Sequence, residues 1–276
     1  VTPEEVERGY NNRAAVPDHP HWFAEFRRRS DAAYAGHRHE RDVRYGGRPR
    51  QTLDLFLPES KPRGTLVFIH GGYWRALDKS DHAFVAPPFL ARGIAVATLN
   101  YDLCPSVSIS DIVDETREAI AFIARQHAAR APRPIIVSGH SAGGHLAAMM
   151  LATDWSRHGF AENPVDGAMS LSGVHDLAPL VHFSYNVDLK LTHDEARRLS
   201  PVNMTPTTQA PLLVAVGADE TSEFLRQSDL IVDAWPRNRP GSLASPMRIV
   251  DRHHFNVVLE LGEAESALTR ATLVLF

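Results

Sequence analysis

What most limits the folds open to this chain is a series of short, almost wholly apolar runs: TLVFIH (65–70), GIAVATLNY (93–101), PIIVSGH (134–140), AMSLSG (168–173), PLLVAVG (211–217) and MRIVD (247–251). A strand with one solvated face alternates apolar and polar side chains. A run that is apolar at consecutive positions is the mark of a strand covered on both faces. Helical patterns lie between the runs, notably at 109–129 and 143–153. Strand and helix in alternation, with the strands buried, argue for a mostly parallel, doubly wound sheet with helices on either face. Ahead of the series, 41–46 and 51–57 read as two strands parted by a Gly-Gly-Arg-Pro turn, a hairpin expected at one antiparallel edge of that sheet.

Two stretches stand outside the alternation. Residues 1–40 are polar and helix-prone, with Trp22, Phe23 and Phe26 as apolar anchors, and are expected to form a helical appendage on the body. Residues 175–210 form a long excursion between strands with few strand signals, the natural place for a small cap over a site. Pro236, Pro240 and Gly241 mark a surface loop. At roughly 150 residues per domain, 276 residues suggest one or two domains; the single run of strands favours one, spanning 1–276. A chain of this length buries enough core to need neither disulfides nor a structural metal.

Composition narrows the function classes. Lys plus Arg number 29 against 33 Asp plus Glu, a net charge of −4, so no electrostatic case exists for nucleic acid or an anionic membrane as partner. One cysteine, Cys104, excludes an intramolecular disulfide and fits a cytoplasmic location. No apolar run approaches the roughly 20 residues of a membrane span, and the charged start VTPEEVERGY lacks a signal-peptide core. That start also lacks an initiator Met, which reads as trimming or processing and leaves open a leader removed before Val1. The 15 histidines invite a metal reading, but no HExxH occurs and neither His19/His21, His37/His39 nor His253/His254 has zinc-site character. No metal and no cofactor are expected.

The chemistry concentrates at Gly139-His140-Ser141-Ala142-Gly143. G-x-S-x-G alone is a weak pattern; here an apolar strand precedes it and a helix pattern follows. A serine at a sharp strand-to-helix turn is held in a strained conformation that flanking glycines make possible, and its hydroxyl projects at the carboxyl edge of the sheet. The helix N-terminus adds positive potential where an oxyanion would form. Such a serine needs a base, and in this fold the order along the chain is Ser, acid, His. The acid should follow the next-to-last strand, where Asp219 and Glu220 compete after Gly217; an offset of three from that glycine favours Glu220. The histidine should follow the last strand, where His254, directly before Phe255 and a helix start, is favoured over His253. Oxyanion donors are expected from the amides of Gly72 and Tyr73, in His70-Gly71-Gly72-Tyr73-Trp74 after the first buried strand, completed by that of Ala142. Tyr73 and Trp74 are the expected substrate-binding aromatics. Trp22 and Phe183 are further candidates, with core packing as their plainer reading.

These motifs resemble a known family. HGGYW (70–74), GHSAGGHL (139–146), SGVHDL (172–177) and EFLRQS (223–228) are similar to the corresponding segments of arylformamidases, or kynurenine formamidases, α/β-hydrolases related to the HGG-type esterases. The resemblance runs over most of the chain and includes Tyr10-Asn11-Asn12; Asn100–Pro105 is similar to the tyrosine-containing segment after the second buried strand of these enzymes. It implies a Ser141–Glu220–His254 triad, with Glu220 standing where animal members place Asp, and Asn256 where the family often carries Asp. The expected function is a serine hydrolase that cleaves a small, aromatic formamide, amide or ester through an acyl-enzyme. Alternatives are a general short-chain carboxylesterase or amidase, and a non-catalytic ligand-binding protein on the same fold. The expected partner is a small-molecule acyl substrate, with a homodimer left open.

Overall fold

The computed structural model describes residues 2–130, 134–241 and 246–276. Eight strands form one sheet: β1 (His39–Arg44), β2 (Thr52–Phe56), β3 (Thr65–Ile69), β4 (Ala95–Leu99), β5 (Ile135–His140), β6 (Gly167–Leu171), β7 (Leu212–Gly217) and β8 (Met247–Ile249). Their order across the sheet is β1-β2-β4-β3-β5-β6-β7-β8. β1 pairs antiparallel with β2 and β2 antiparallel with β4; every later pairing is parallel. This is the α/β-hydrolase architecture, with the hairpin at the edge.

Burial explains which strands were easiest to read. Every residue of β3, β4, β5, β6 and β7 is buried, as their continuous apolar runs require. The edge strand β1, HERDVR, is largely exposed and charged, which keeps an open sheet edge from pairing with other chains. β6 stops at Leu171 rather than 173 because Ser172 takes a left-handed φ of 51° and leaves the pleat.

Helices cover both faces. On one lie α1 (Pro3–Tyr10), α5 (Ile109–Arg130), α6 (Ala142–Leu151) and α9 (Ser222–Ala234), around a core that includes Tyr10, Ile112, Leu146 and Ile231. On the other lie α3 (His19–Gly36), α4 (Ala86–Leu90) and α10 (Ala267–Leu273), around Phe26, Phe68, Phe89 and Leu268. A short α2 (Asn12–Ala15) joins α1 to α3. The first 40 residues are therefore built into both cores rather than resting on the body. Thr2 caps α1 with a capping box, and Tyr10 at its end is fully buried. The 175–210 segment folds as short turns and two small helices, α7 (Asn186–Leu189) and α8 (His193–Arg198), with Leu180, Phe183, Leu189 and Leu199 buried beneath.

Candidate active site

Ser141 follows β5 and is the N-cap of α6, with φ 58° and ψ −118°. A non-glycine residue tolerates that region only when its surroundings enforce it. Here they do. A Cβ at position 139 would stand 2.1 Å from the Gly143 carbonyl oxygen, and one at 143 would stand 2.0 Å from that of Ile69. Only glycine at both positions lets the turn close this tightly, and Ser141 N–H is tied to the Leu171 carbonyl at 2.8 Å.

His254 and Glu220 complete a relay. His254 Nε2 lies 3.1 Å from Ser141 Oγ, and its Nδ1 lies 2.6 Å from Glu220 Oε2. Both side chains are buried, and the imidazole is clamped by Phe224 and His140, with ring centroids at 4.5 and 4.7 Å. The other carboxylate oxygen of Glu220 accepts the Gly217 N–H at 2.9 Å and a short bond from the Ser172 hydroxyl, which leaves Oε2 for the histidine. The acid and histidine loops are stitched together: Asp219 N–H donates to the Arg252 carbonyl at 3.0 Å, and Ala218 N–H to that of Ile249 at 2.8 Å. Asp219 is exposed and turned from the relay. His253 is half-buried, its ring centroid 5.1 Å from that of Trp22, and burial pushes its pKa down.

The loop after β3 lies against this turn. A Cβ on Gly71 would come within 3.0 Å of Ser141 Cβ, and Gly72, Tyr73 and Trp74 all adopt positive φ, at 98°, 51° and 55°. Two groups hold the Gly71 carbonyl on the buried side: His70 Nδ1 at 2.8 Å and the Tyr101 hydroxyl at 3.2 Å, with the two rings stacked 4.4 Å apart. Burial pushes the His70 pKa down to about 3, so the ring stays neutral. Because a trans peptide opposes its C=O and N–H, anchoring that carbonyl turns the Gly72 N–H to the other side. Among the described residues, no protein acceptor engages the amides of Gly72, Tyr73 or Ala142.

Ser141 and His254 open into a narrow cleft, with room of about 40 Å³. Its walls include Phe23, Phe26, Tyr73, Tyr185 and Phe255, with Asn12, Arg13 and Arg75 as polar members. Tyr73 is fixed by donating its hydroxyl to the Tyr10 carbonyl at 2.6 Å. Trp74 requires a correction: it does not reach the cleft. Successive left-handed residues send its indole into the core, fully buried and edge-on to His145 at 5.1 Å. Trp22 and Phe183 also stay off the wall; Phe183 packs behind Tyr73 at 5.2 Å. The 175–210 segment supplies Tyr185 alone, so most of the cover comes from α2 and α3 rather than from this segment. Ser172 and Tyr101 fell within motifs singled out from the sequence, but their contacts follow from a left-handed turn and a ring stack that no residue pattern encodes. Among the described residues, no cluster of three His, Cys, Asp or Glu side chains is close enough to hold a metal, and no helix is long and apolar enough to cross a membrane.

Comparison with known proteins places the chain among hydrolases. A family model described as BD-FAE matches residues 53–234. A kynurenine formamidase from Salmo salar is 30% identical over 239 residues, covering 84% of this chain and 80% of its own. The chain belongs to the kynurenine formamidase family and carries the BD-FAE domain. It is an arylformamidase-like α/β-hydrolase. A crystal structure from Silicibacter sp. TM1040, provisionally described as a thioesterase, superposes with a TM-score of 0.84 at 34% identity, covering 98% of this chain and 99% of that one. Esterase B from Lactobacillus rhamnosis shares the fold at a TM-score of 0.69 and 19% identity, covering 95% and 96%. In the formamidase-like hydrolase, the relay and the aromatic cleft thus occur together on one sheet edge.

Proposed function

We propose that the chain hydrolyses small aryl formamides by covalent catalysis at Ser141. The observation that carries this reading is the Ser141–His254–Glu220 relay, at 3.1 and 2.6 Å, on the floor of an aromatic-walled cleft. Ser141 Oγ attacks the formyl carbon as His254 Nε2 takes its proton, and Glu220 holds the ring and offsets the imidazolium charge. The oxyanion is received by the amides of Gly72, Tyr73 and Ala142, which are free to donate. Collapse expels the arylamine, protonated by His254, and leaves a formyl-Ser141 ester. Water, deprotonated by the same histidine, then releases formate. Tyr73, pinned through its hydroxyl and backed by Phe183, is the rigid part of the wall and favours a small acyl group. The single buried thiol of Cys104 suits a cytoplasmic location, and the partner needed is a small molecule.

A second reading, a short-chain esterase or thioesterase, is favoured by the likeness to the Silicibacter structure. One assay separates them: kcat/KM for N-formylkynurenine against p-nitrophenyl acetate, butyrate and octanoate, and simple aryl amides. The formamide should lead and octanoate should trail by about tenfold or more. A maximum at eight carbons, or an ester preferred over the formamide by a like factor, sets the formamidase reading aside. A fluorophosphonate probe should label Ser141.

A further inference from the structure

The cleft leaves room of about 40 Å³ beside Ser141. A single benzene ring occupies a cavity of about 150 Å³. An aryl substrate therefore reaches the serine only if part of the wall gives way, and the packing shows which part is least fixed. Phe26, Phe255 and Tyr73 are buried, and Tyr73 is also held through its hydroxyl on the Tyr10 carbonyl at 2.6 Å. Phe23 stands edge-on to both Phe26 and Phe255, at 5.9 and 5.2 Å. Tyr185, the N-cap of α7, differs. It is half-buried, and its hydroxyl makes no hydrogen bond to any described residue. The chain has 6 tyrosines, and each of the others donates its hydroxyl to a protein acceptor.

The Tyr185 ring leans on Phe183 and Tyr73, with centroids at 4.6 and 5.5 Å. Arg75, in the loop after β3, covers it with a guanidinium 4.4 Å from the ring centroid. Arg75 Nε and Nη2 both reach Asp188 Oδ2 of α7, at 2.7 and 2.5 Å. A cation over an aromatic ring is attracted to it, and a carboxylate that grips two guanidinium nitrogens fixes where that cation sits. Asp188 thus holds Arg75 over the ring, and Arg75 holds the ring against the cleft.

We propose that Tyr185 is the movable wall that limits the size of the aryl group reaching Ser141, and that the Arg75–Asp188 pair keeps it turned inward. Rotation of the Tyr185 side chain towards solvent opens the aryl side of the cleft. α7 stays anchored by buried Leu189, and Tyr73 keeps its place on the acyl side. This assignment rests on the reading of the cleft as the acyl-substrate site.

Sulfonylation of Ser141 tests it without turnover of any formamide. Ser141 Oγ bonds to the sulfur of a sulfonyl fluoride, the S–F bond breaks, fluoride leaves, and His254 takes the hydroxyl proton. Methanesulfonyl fluoride brings no ring past Tyr185; phenylmethylsulfonyl fluoride brings one. Second-order labelling rates, followed by intact mass, are compared for the wild type, Asp188→Ala, Tyr185→Ala, Tyr185→Phe and Arg28→Met. Arg28, exposed on α3 and paired with Glu25, is the control. Asp188→Ala and Tyr185→Ala should each raise the ratio of phenyl to methyl rate at least about fivefold, because an open state that was a minor population becomes the common one. Tyr185→Phe, which keeps the ring, and Arg28→Met should hold that ratio within about twofold of the wild type. A rise of less than about fivefold in either Ala variant overturns the proposal, and so does a fall, which is what a fixed wall in contact with the aryl group gives when it is cut away. A wild type that methanesulfonyl fluoride fails to label at Ser141 removes the serine reading and the gate with it, a result distinct from a labelled enzyme whose ratio does not move.

Discussion

Asp219 and Glu220 carry the same charge on neighbouring residues, yet only one meets the histidine. The chain leaves β7 at Gly217 and is held to the histidine loop by the amides of Ala218 and Asp219, which fixes position 220 facing inward and 219 facing solvent. Glu220→Gln should therefore lower kcat by roughly 10²- to 10⁴-fold, because the amide no longer sets the tautomer of His254. Asp219→Asn should change it by less than about twofold, and Ser141→Ala should abolish turnover by about 10⁴-fold or more while the fold persists. Steady-state kinetics with circular dichroism on the three variants checks this; a crippled Asp219→Asn enzyme contradicts the assignment. This much was legible in sequence, since offsets from a strand end survive the loss of three-dimensional detail. Trp74 was not. HGGYW shows two aromatics after a glycine pair, and only the left-handed dihedrals decide that Tyr73 faces the cleft while Trp74 enters the core.

At the scale of elements, β3 to β7 are legible because strands covered on both faces run almost wholly apolar; MRIVD, expected to be another, is instead a three-residue edge strand with Arg248 exposed and Met247 and Ile249 only partly covered. The N-terminal helices were harder, since α1 is amphipathic and polar overall and gives no sign of what its buried face meets. That face ends at Tyr10. The Tyr10 hydroxyl donates to Glu223 Oε2 at 3.0 Å and accepts from Gln227 Nε2 at 2.7 Å, and its backbone carbonyl receives Tyr73. The Thr221 hydroxyl also donates to the Gly9 carbonyl, at 2.6 Å. Tyr10→Ala should cost about 3–5 kcal/mol of stability, as for other large aromatic truncations in a core. Tyr10→Phe should cost only about 1 kcal/mol, because Glu223 keeps Arg226 and Gln227 keeps the Asp176 carbonyl. Denaturant midpoints measure both. An Ala variant as stable as the parent means that α1 is not part of the folding unit.

For the molecule as a whole, buried histidines set the response to acid. Burial pushes His70 and His175 down to about 3 and His145 to about 4, and lowers His82 and His140 as well. The folded chain refuses protons that the unfolded chain takes up near pH 6.5, so this contribution to stability is intact above about 6.5 and is lost as pH falls towards 4. For His70, His145 and His175 this is on the order of 1.4 kcal/mol each per pH unit in that window. Glu115 acts in the opposite sense. Burial raises it from 4.5 to about 7, so the folded state gains a proton there and offsets one histidine. Calorimetry across pH should find the Tm level above pH 7 and falling steeply below 6; a level Tm down to pH 4.5 means the histidines are protonated in place. The close contact of Gly143 with the Ile69 carbonyl has a different kind of consequence. There backbone meets backbone with no side chain between, so the serine turn packs directly on the end of β3 and the start of the loop after it. Substitutions in α2, α3 or the segment around Tyr185 can reshape the cleft without disturbing that contact. On such a scaffold, a lineage can change what it hydrolyses while keeping how it hydrolyses.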